Sequence, residues 1–257
     1  MAEPDAGTQL TLLDGAGPVG EERLAQLYAY PPELTRCWVR SNFIASLDGG
    51  ATAGGKSGDL GGPGDRALFT LMRGNADVVV VGAGTVRVEN YGGVQLSVAA
   101  RQARQARGQA EVPPIAVVSR SGQLDRDMKV FTHTEVPPLI LTSGSALAAT
   151  TARLGDVATV IDCSNSDPDQ VDLRFALAAL AGRGLLRVLT EGGPLLHDTF
   201  IAAGLLDEIC LSIAPALVGG AAHRIASGPD ETRTPMRRAH LLADDSGFLY
   251  TRYVREA

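Results

Sequence analysis

Two glycine turns have the clearest chemical meaning in this sequence, and each follows an apolar run that resembles a strand. The first run, 78–81, leads into G-A-G-T at 82–85. The second run, 185–190, leads into E-G-G-P at 191–194 and then into a helix pattern. A glycine turn between a strand and a helix lets a phosphate approach the backbone, where free N–H groups bind it. Two such turns indicate a large ligand with several phosphates, such as a dinucleotide.

The first turn does not match the fingerprint of a standard Rossmann dinucleotide site. That fingerprint requires a glycine where Arg87 stands, and an acidic residue about twenty positions further on, where this chain has Arg107. On the local pattern, a phosphate contact and a purely structural strand-to-helix connection are equally good interpretations. The second turn has the same two interpretations.

Two carboxylates are candidates for binding or catalysis. Glu191 directly follows a strand, where open α/β sheets bind ligands, and it can accept hydrogen bonds from a heterocycle. The alternative is an acidic residue that a helix N-terminus stabilises. Asp65 begins a helix pattern, where it is either an N-cap or a carboxylate that binds a pyrimidine or pterin ring or relays a proton. Asp48, in S-L-D-G, is typical of a turn.

Composition and charge exclude several classes of function. The net charge is −6, and we therefore expect no nucleic-acid-binding surface. The three cysteines and four histidines show no metal-ligand spacing, and we expect no metal site. No apolar run reaches the roughly 20 residues of a membrane span. The chain shows neither a signal-peptide pattern nor a disulfide framework, so we expect a cytoplasmic location.

Strands alternate with helices over most of the chain. The hydrophobic patterns predict strands at 8–13, 36–47, 77–81, 114–119, 138–142, 157–161, 185–190, 207–214, 238–242 and 247–255. They predict helices at 21–28, 65–73, 95–110, 144–153, 169–182 and 194–203. This order is typical of an α/β fold with a central, mostly parallel sheet and helices on both faces. The last strands have no helix between them and predict an antiparallel C-terminal edge.

Several local features carry further expectations. Six glycines in 54–64 predict a loop that acts as a mobile lid. The helix at 95–110 is polar, and we expect a solvated face there rather than a basic binding stripe. Gly74 is expected to end the helix before it, and Pro168 to lie in the first turn of the helix after it. Residues 1–7 are expected to be disordered.

Six segments occur in the order in which one known family has them. They are N-F-I-A-S-L-D-G (42–49), G-D-R-A-L-F-T-L-M-R (64–73), A-D-V-V-V-V-G-A-G-T-V (76–86), I-A-V-V-S-R-S-G (115–122), E-G-G-P-L-L (191–196) and D-E-I-C-L-S-I-A-P-A-L-V-G-G (207–220). Over about residues 35–255 the chain resembles the reductase domain of bifunctional riboflavin-biosynthesis proteins, in the dihydrofolate-reductase-like superfamily. The deaminase domain of those proteins is absent, so the resemblance implies a single, stand-alone reductase domain over 1–257.

The resemblance implies a dihydrofolate-reductase-like fold, an NADPH cofactor and a homodimer. The implied chemistry is hydride transfer from the nicotinamide to the imine, or open-chain sugar, of a ribosylaminopyrimidine phosphate, as in a 5-amino-6-(5-phosphoribosylamino)uracil reductase. Glu191 would hold the pyrimidine ring, and Arg73 would contact the substrate. Asn42, Ser46 or Asp65 would assist protonation, while the site as a whole positions the reactants.

The resemblance also assigns positions to the two ends of the cofactor. The nicotinamide end would lie near Ile44 and Ala45. The adenine end would lie near Ser119 and Arg120, and an arginine suits a 2′-phosphate because it can bind it with two hydrogen bonds. The remaining cofactor positions follow the two glycine turns and are Gly82, Gly84, Thr85, Val86, Glu89, Gly192, Gly193, Pro194 and Leu195.

Two departures from the family pattern concern the substrate. Asn42 stands where many of these reductases have a lysine, and Leu96 stands where they have an arginine that binds the substrate phosphate. Loss of that arginine removes a contact of roughly 1.5–3 kcal/mol. A second hypothesis therefore keeps the fold and cofactor and makes dihydrofolate or another pterin the substrate, with Asp65 binding its aminopyrimidine part. A third is a nucleotide-binding regulatory protein without turnover.

Overall fold

The structure, a computed structural model, describes residues 10–12 and 17–256. Its ten strands form one sheet and are β1 (Leu10–Leu12), β2 (Trp38–Ser46), β3 (Val78–Gly82), β4 (Ile115–Val118), β5 (Leu139–Thr142), β6 (Thr159–Asp162), β7 (Arg187–Thr190), β8 (Glu208–Ala214), β9 (Met236–Asp244) and β10 (Leu249–Arg255). The sequence predicts the end of every strand to within two residues. The tip 1–7, expected to be disordered, lies outside the described residues.

The strand order in the sheet is β1-β9-β10-β8-β2-β7-β3-β4-β5-β6. The strands from β8 to β6 run parallel, whereas β10, β9 and β1 are antiparallel to their neighbours. The predicted mostly parallel sheet with an antiparallel C-terminal edge is confirmed, and the N-terminal β1 lies outside β9. Because β7 lies between β2 and β3, the carboxyl ends of strands from distant parts of the chain meet at one edge.

Helices connect the parallel strands. Among the described residues they are α1 (Glu21–Leu27), α2 (Pro63–Asn75), α3 (Ala83–Val88), α4 (Val98–Ala106), α5 (Lys129–Thr132), α6 (Gly144–Leu154), α7 (Leu173–Ala181) and α8 (Pro194–Ala202). The short helices α3 and α5 are not among the helices predicted from the sequence. In the described part of the chain, no helix has the length and apolar character needed to cross a membrane.

Two hydrophobic cores lie on opposite faces of the sheet, because successive strand residues point to opposite sides. One core contains Leu68 and Met72 of α2 with alternate residues of β3 and β7. The other contains Leu180 of α7 and Phe200 of α8 with the intervening residues of the same strands. Each fully buried leucine or phenylalanine stabilises the fold by roughly 1.5–3 kcal/mol. Helices therefore cover both faces of the sheet, as predicted.

The helix α7 begins later than the sequence predicts. The expected helix covers 169–182 with Pro168 in its first turn, and this prediction is wrong. Asp172 is the N-cap, since its carboxylate accepts a hydrogen bond from the backbone N–H of Arg174 at 2.7 Å. The capping carboxylate, rather than the proline, decides where the helix starts.

The polar helix α4 is not solvated along its whole polar face, contrary to the prediction. Arg104 is fully buried and donates to the carbonyl oxygens of Gly74, Ala76 and Ala110 at 3.1, 2.5 and 2.7 Å. Arg104 therefore caps the carboxyl end of α2, which continues through Gly74 instead of ending there. Burial lowers the pKa of Arg104 to about 10. The polar pattern does not reveal this role because two of the acceptors, Gly74 and Ala76, lie at the end of α2, distant in sequence.

The glycine-rich segment 54–64 packs at its carboxyl end against the hairpin of β9 and β10. A Cβ on Gly62 would lie 2.8 Å from the ring of Phe248, and a Cβ on Gly64 would collide with the hydroxyl of Tyr250. These two glycines therefore allow the hairpin to hold the start of α2. The lid movement expected of this segment stays a prediction, and it concerns the residues before this contact.

Candidate active site

The two glycine turns meet where β3 and β7 end side by side. The backbone N–H of Gly82 donates to the carbonyl oxygen of Gly192 at 2.7 Å. Gly192 has a φ of +105°, which favours glycine. A Cβ on Gly193 would lie 2.6 Å from Oγ1 of Thr85, so a larger residue would separate the turns. The turns form one joint structure, which we call the cradle, rather than two separate sites.

The cradle opens on backbone that a ligand can approach. Helix α8 starts at Pro194, and the N–H groups of its first turn have no intrahelical acceptor. Leu195 in that turn is 72% exposed. In the described part of the chain, no atom beyond the adjoining residues lies within 4 Å of a Cβ placed on Gly84. Val86 differs, because its side chain is buried in the core and leaves only its backbone for a cofactor contact.

Ser119 and Arg120 follow β4, the strand beside β3, and so lie on the same edge of the sheet as the cradle. Ser119 is buried, while Arg120 is exposed. The carbonyl oxygen of Arg120 accepts a hydrogen bond from the hydroxyl of Ser143 at 2.9 Å, which holds the backbone of this turn. A guanidinium beside the cradle suits a ligand with an additional phosphate.

The carboxyl end of β2 forms a floor beside the cradle. Asn42 and Ile44 alternate with their neighbours and share the face of the sheet on which α2 packs. In the parallel pairing of β2 with β8, Ile44 is opposite Ser212. Asn42 is half-buried, and Ala45 lies on the opposite face. The floor therefore offers an apolar side chain and an amide side by side.

Ser46 begins a tight turn after β2. Its hydroxyl donates to Oδ1 of Asp48 at 2.5 Å and accepts from the backbone N–H of Gly50 at 2.9 Å. Asp48 also accepts from the backbone N–H groups of Val218 and Gly219 at 3.1 and 2.7 Å. These hydrogen bonds, that of Ser46 first, lower the pKa of Asp48 to about 2. The turn role inferred for Asp48 agrees with this geometry, and the hydroxyl of Ser46 is occupied within the same turn.

One stripe of α2 faces the ends of β8, β2 and β7. Asp65, Phe69 and Arg73 are four residues apart, so they lie on one side of the helix and span about 12 Å. Asp65 is half-buried, and Ser212 donates a hydrogen bond to it. Burial raises the pKa of Asp65, and the bond from Ser212 opposes this effect only in part. The other end of the stripe, Arg73, meets Glu191.

Arg73 and Glu191 form a buried ion pair with two hydrogen bonds. Nε and Nη2 of Arg73 donate to Oε1 and Oε2 of Glu191 at 2.7 and 2.6 Å. The two side chains are 15% and 2% exposed. Burial by itself lowers the pKa of Arg73, but the charge of Glu191 outweighs it and raises the pKa. The two residues that the resemblance assigns to the substrate are therefore bound to each other.

Tyr91 completes this group and is not among the residues predicted from the sequence. Its hydroxyl donates to Oε2 of Glu191 at 2.8 Å. The guanidinium of Arg73 lies 4.0 Å from the centre of the Phe69 ring and 5.5 Å from that of Tyr91. We call Arg73, Glu191 and Tyr91 the clasp. The sequence feature that points to Tyr91 is the stretch E-N-Y-G-G-V-Q-L (89–96), where the chain departs from the pattern of the family that it resembles.

Two further predicted positions have structural partners. Oε1 of Glu89 accepts from the backbone N–H and the hydroxyl of Ser57 at 2.9 and 2.8 Å. Glu89 therefore links the end of α3 to the segment 54–64, and a cofactor contact there would compete with this link. Leu96 packs in the core, so this position supplies no charge to a substrate phosphate.

These residues outline a cleft along the carboxyl edge of the sheet. The cradle and Arg120 suit a phosphate-rich ligand, and the floor of β2 lies beside them under the stripe of α2. Asp65 and the clasp place hydrogen-bonding groups at the two ends of this stripe. The described residues contain no cluster of three or more side chains that could ligate a metal ion. The arrangement suits transfer between two ligands that are bound side by side.

The sequence matches known proteins over most of its length. The family model of the RibD C-terminal domain matches residues 37–250. A Chlamydia trachomatis protein named riboflavin biosynthesis protein RibD is 33% identical over 80% of this chain and 53% of its own length, so this chain spans about half of that relative. A Methanothermobacter thermautotrophicus protein named 2,5-diamino-6-ribosylamino-4(3H)-pyrimidinone 5′-phosphate reductase is 28% identical over 84% of this chain and 98% of its own.

Solved structures agree with this match. A pyrimidine reductase-like protein from Corynebacterium diphtheriae has a TM-score of 0.76 at 29% identity, over 86% of this chain and 92% of that chain. The riboflavin biosynthesis reductase Rib7 of Saccharomyces cerevisiae has a TM-score of 0.67 at 14% identity, over 91% of this chain and 98% of that chain. The two proteins therefore share the fold. The resemblance inferred from six sequence segments is confirmed, and the chain belongs to the RibD C-terminal domain family.

Proposed function

We propose that this protein is an NADPH-dependent pyrimidine reductase of riboflavin biosynthesis. Its substrate is a ribosylaminopyrimidine 5′-phosphate, either the 5-amino-6-(5-phosphoribosylamino)uracil type or the 2,5-diamino compound for which the archaeal relative is named. The observation that supports this most is the cradle beside the clasp, because it puts a dinucleotide site next to a site for a small polar ring.

The cradle fits a dinucleotide. Gly82 and Gly192 touch through their backbones, so no side chain keeps a phosphate away from the turns. The N-terminus of α8 supplies unpaired N–H groups and a favourable dipole for a pyrophosphate. The exposed Arg120 is the reason for proposing NADPH rather than NADH. A bound, reduced nicotinamide supplies the hydride.

The residues beside the cradle bind and orient the substrate ring. Arg73 binds it through the part of the guanidinium that Glu191 does not use, and Ile44 forms the apolar floor. Asn42 and Asp65 are half-buried polar side chains that can hold the ring, and Asp65 can also hold a proton. The raised pKa of Asp65 favours its protonated form, which a proton donor needs.

Asp65 also supports a second candidate, the reduction of dihydrofolate or another pterin. This carboxyl lies opposite the clasp on the same stripe of α2, in contact with Ser212. A carboxylate can accept two parallel hydrogen bonds from the amino group and ring nitrogen of an aminopyrimidine. Leu96 is consistent with this candidate, since it leaves position 96 without the arginine that a sugar phosphate would require. Under this candidate, Asp65 rather than the clasp binds the ring.

Steady-state oxidation of NADPH by the purified protein tests both candidates. The uracil compound, the 2,5-diamino compound and dihydrofolate would be compared under identical conditions. We expect turnover of a phosphorylated pyrimidine and little turnover of dihydrofolate. Turnover of dihydrofolate alone would support the second candidate instead. Binding of NADPH without turnover of any of the three would favour the regulatory, nucleotide-binding protein.

Two controls separate the roles of individual residues. Asp65→Asn should abolish most turnover of dihydrofolate if the second candidate is right, and unchanged dihydrofolate kinetics would remove that candidate. NADH in place of NADPH tests Arg120, because a guanidinium that binds the 2′-phosphate makes the Michaelis constant for NADH much higher. Equal Michaelis constants for the two cofactors would contradict the choice of NADPH.

The proposal includes a cytoplasmic location, which rests on the cysteine pattern and the N-terminal sequence, and a homodimer, which the resemblance implies. Support for a dimer comes from one face of β8 and β10, where half-buried side chains belong to neither core; they are Ile209, Leu211, Ile213 and Tyr253. A second copy of the chain that packed on this face would remove them from water. Light scattering of the purified protein decides between a monomer and a dimer.

A further inference from the structure

Tyr91 reaches the clasp because the residue before it has an unusual backbone conformation. Asn90 has a φ of +53° and is the one non-glycine residue with a positive φ in the described part of the chain. The backbone N–H of Tyr91 donates to the carbonyl oxygen of Val86 at 3.2 Å. The left-handed turn after α3 thus directs the phenol towards Glu191, which is 100 residues further along the chain.

The clasp leaves Glu191 with little capacity to bind a ligand. Its carboxylate accepts two hydrogen bonds from Arg73 and one from Tyr91. A carboxylate has roughly four acceptor positions, so three bonds occupy most of them. The glutamate side chain is also only 2% exposed. A ring with two N–H donors would have to displace one of these bonds before Glu191 could accept both.

Arg73, by contrast, keeps part of its guanidinium open. The rings of Phe69 and Tyr91 flank it, and Glu191 takes the edge formed by Nε and Nη2. The two hydrogen bonds to Glu191 do not use Nη1 of Arg73, and the guanidinium also interacts with the hydroxyl of Tyr91. The edge that Glu191 does not use is the part of the clasp that a ligand can bind, since the arginine side chain is 15% exposed.

We infer that Tyr91 is a positioning residue, which holds Glu191 against Arg73 so that the open edge of Arg73 binds an acceptor-rich group of the substrate. That group is a carbonyl or phosphate oxygen, because a guanidinium donates and does not accept. The inference rests on the proposed pyrimidine reductase function and adds the residue that prepares its substrate contact. Burial, followed by the charge of Glu191, raises the pKa of Tyr91, so its hydroxyl stays protonated and donates.

Leu96 explains why the orientation of Arg73 would matter for substrate binding. A substrate phosphate that has lost its arginine at position 96 needs another cation. Arg101 is near in sequence, but it donates to the carbonyl oxygen of Leu96 at 3.2 Å and to both oxygens of Glu135 at 2.7 and 2.6 Å. Arg101 is therefore committed to other acceptors, whereas Arg73 lies beside the floor of β2, so the orientation of its guanidinium affects the proposed substrate contact.

Tyr91→Phe tests the inference because it removes one hydroxyl and keeps the ring against Arg73. We expect the Michaelis constant for the phosphorylated pyrimidine to rise roughly tenfold, since Glu191 loses one of the hydrogen bonds that hold it and orients Arg73 less well. The turnover number and the Michaelis constant for NADPH should change little. Tyr30→Phe is the matched control, because the buried hydroxyl of Tyr30 donates to the carbonyl oxygen of Val188 at 3.2 Å, outside the clasp. The control should leave all three constants unchanged.

An Arg73→Ala background separates positioning from direct contact. If Tyr91 acts through Arg73, Tyr91→Phe raises the Michaelis constant no further in this background. A further rise would mean that Tyr91 itself contacts the substrate, which overturns the inference. An unchanged Michaelis constant in Tyr91→Phe with Arg73 intact would overturn it as well.

Equilibrium unfolding gives a readout that does not depend on turnover. The free energy of unfolding would be measured in urea for Tyr91→Phe, Glu191→Ala and the double variant. The hydroxyl and the carboxylate share a hydrogen bond, so we expect the two effects to be non-additive. Additive effects would overturn the inference. If the wild-type protein reduces no pyrimidine phosphate, the proposed function fails. The double-mutant cycle in unfolding still tests the clasp in that case, because it does not depend on turnover.

Discussion

Two buried groups in this protein are built from arginine and glutamate, and their surroundings differ. The clasp has Arg73 and Glu191 at its centre. A second group, which we call the sealed triad, joins Glu208 to Arg40 and Arg252. The glutamates are 2% and 0% exposed, while Arg73 and Arg252 are 15% and 14% exposed. Burial by itself therefore does not distinguish a structural group from a functional one.

The difference lies in what the remaining guanidinium nitrogens meet. Arg40 donates to the carbonyl oxygens of Tyr28 and Ala29 at 2.8 and 3.3 Å, and Arg252 donates to that of Leu27 at 2.6 Å. These carbonyls lie at the carboxyl end of α1, where helix carbonyls lack intrahelical partners. The sealed triad thus fastens α1 to the sheet, although Nε of Arg252 is buried without a hydrogen-bond partner in the described part of the chain. In the clasp, both hydrogen bonds to Glu191 come from Nε and Nη2 of Arg73, and no backbone carbonyl oxygen of a described helix end is bound.

The two groups differ in the backbone carbonyl oxygens that their arginines bind, rather than in charge or depth. Burial by itself raises the pKa of Glu208, and the charges of Arg40 and Arg252 lower it below its ordinary value. A buried ion pair adds little stability over an apolar pair of the same shape, but removal of one partner leaves an uncompensated charge. The loss in free energy of unfolding when a carboxylate is removed therefore measures how far each group is shielded from solvent.

Glu208→Gln is expected to have the largest effect on stability. It leaves two buried guanidinium groups without a carboxylate, and we expect the free energy of unfolding to fall by about 3–5 kcal/mol. Glu191→Gln leaves one guanidinium that is partly open to solvent, so roughly half this loss or less is expected. Urea unfolding followed by circular dichroism measures both variants. Equal losses would mean that the clasp is as structural as the sealed triad.

The sealed triad is also expected to make stability depend on pH through His240. This imidazole packs edge-on against Tyr28, and burial, followed by the charge of Arg252, lowers the pKa of His240 from 6.5 to about 4. Because the folded pKa lies below the unfolded value, the unfolded chain takes up the proton first. This contribution is fully present above pH 6.5 and is lost as the pH falls towards 4. The loss amounts to at most about 3 kcal/mol.

His240→Phe checks this expectation, since it keeps the aromatic contact and does not titrate. Between pH 6.5 and 4 its free energy of unfolding should fall less than that of the wild-type protein. Urea unfolding at several pH values measures the two slopes. His133→Ala, which changes an exposed histidine, is the control and should keep the wild-type slope. A wild-type slope in His240→Phe would contradict the assignment.

Lysine at Arg73 or Arg252 gives the closest comparison, because the two arginines are about equally exposed. Lysine keeps the charge and loses the planar fork. Arg73→Lys should raise the Michaelis constant for the phosphorylated pyrimidine roughly tenfold with a small loss of stability. Arg252→Lys should lower the free energy of unfolding by about 1 kcal/mol and leave the Michaelis constant unchanged. A raised Michaelis constant in both variants would mean that the sealed triad contributes to substrate binding.

Much of the candidate site could be predicted because it lies at the ends of regular elements. A strand, a glycine turn and a helix pattern locate the turns at 82–86 and 191–194 without any knowledge of the fold. Parallel strands present their carboxyl ends at one edge, which is sufficient to expect Glu191 near a ligand. Asp65 was identified in the same way, from its place after a glycine-rich loop and before a helix.

Arg104 and Tyr91 could not be identified in this way. The acceptors of Arg104 are carbonyl oxygens that include those of Gly74 and Ala76, on or beside another helix. The acceptor of Tyr91 lies on the far side of the cleft, after β7. Residue type does not show whether a guanidinium or a phenol is solvated, because that depends on what packs over it. Pro168 shows the same limit, since a capping carboxylate overrode the local preference of a proline.

The sequence by itself determined the alternation of strands and helices, the mostly parallel sheet and the two glycine turns, because periodicity and turn residues act over a few neighbours. Only the tertiary structure decided that the two turns touch and that Arg73 and Glu191 bind each other rather than two separate ligand groups. These contacts exist because β7 inserts between β2 and β3, which brings distant segments together at one edge of the sheet. No local pattern specifies that insertion; it follows from how the whole chain buries its apolar faces.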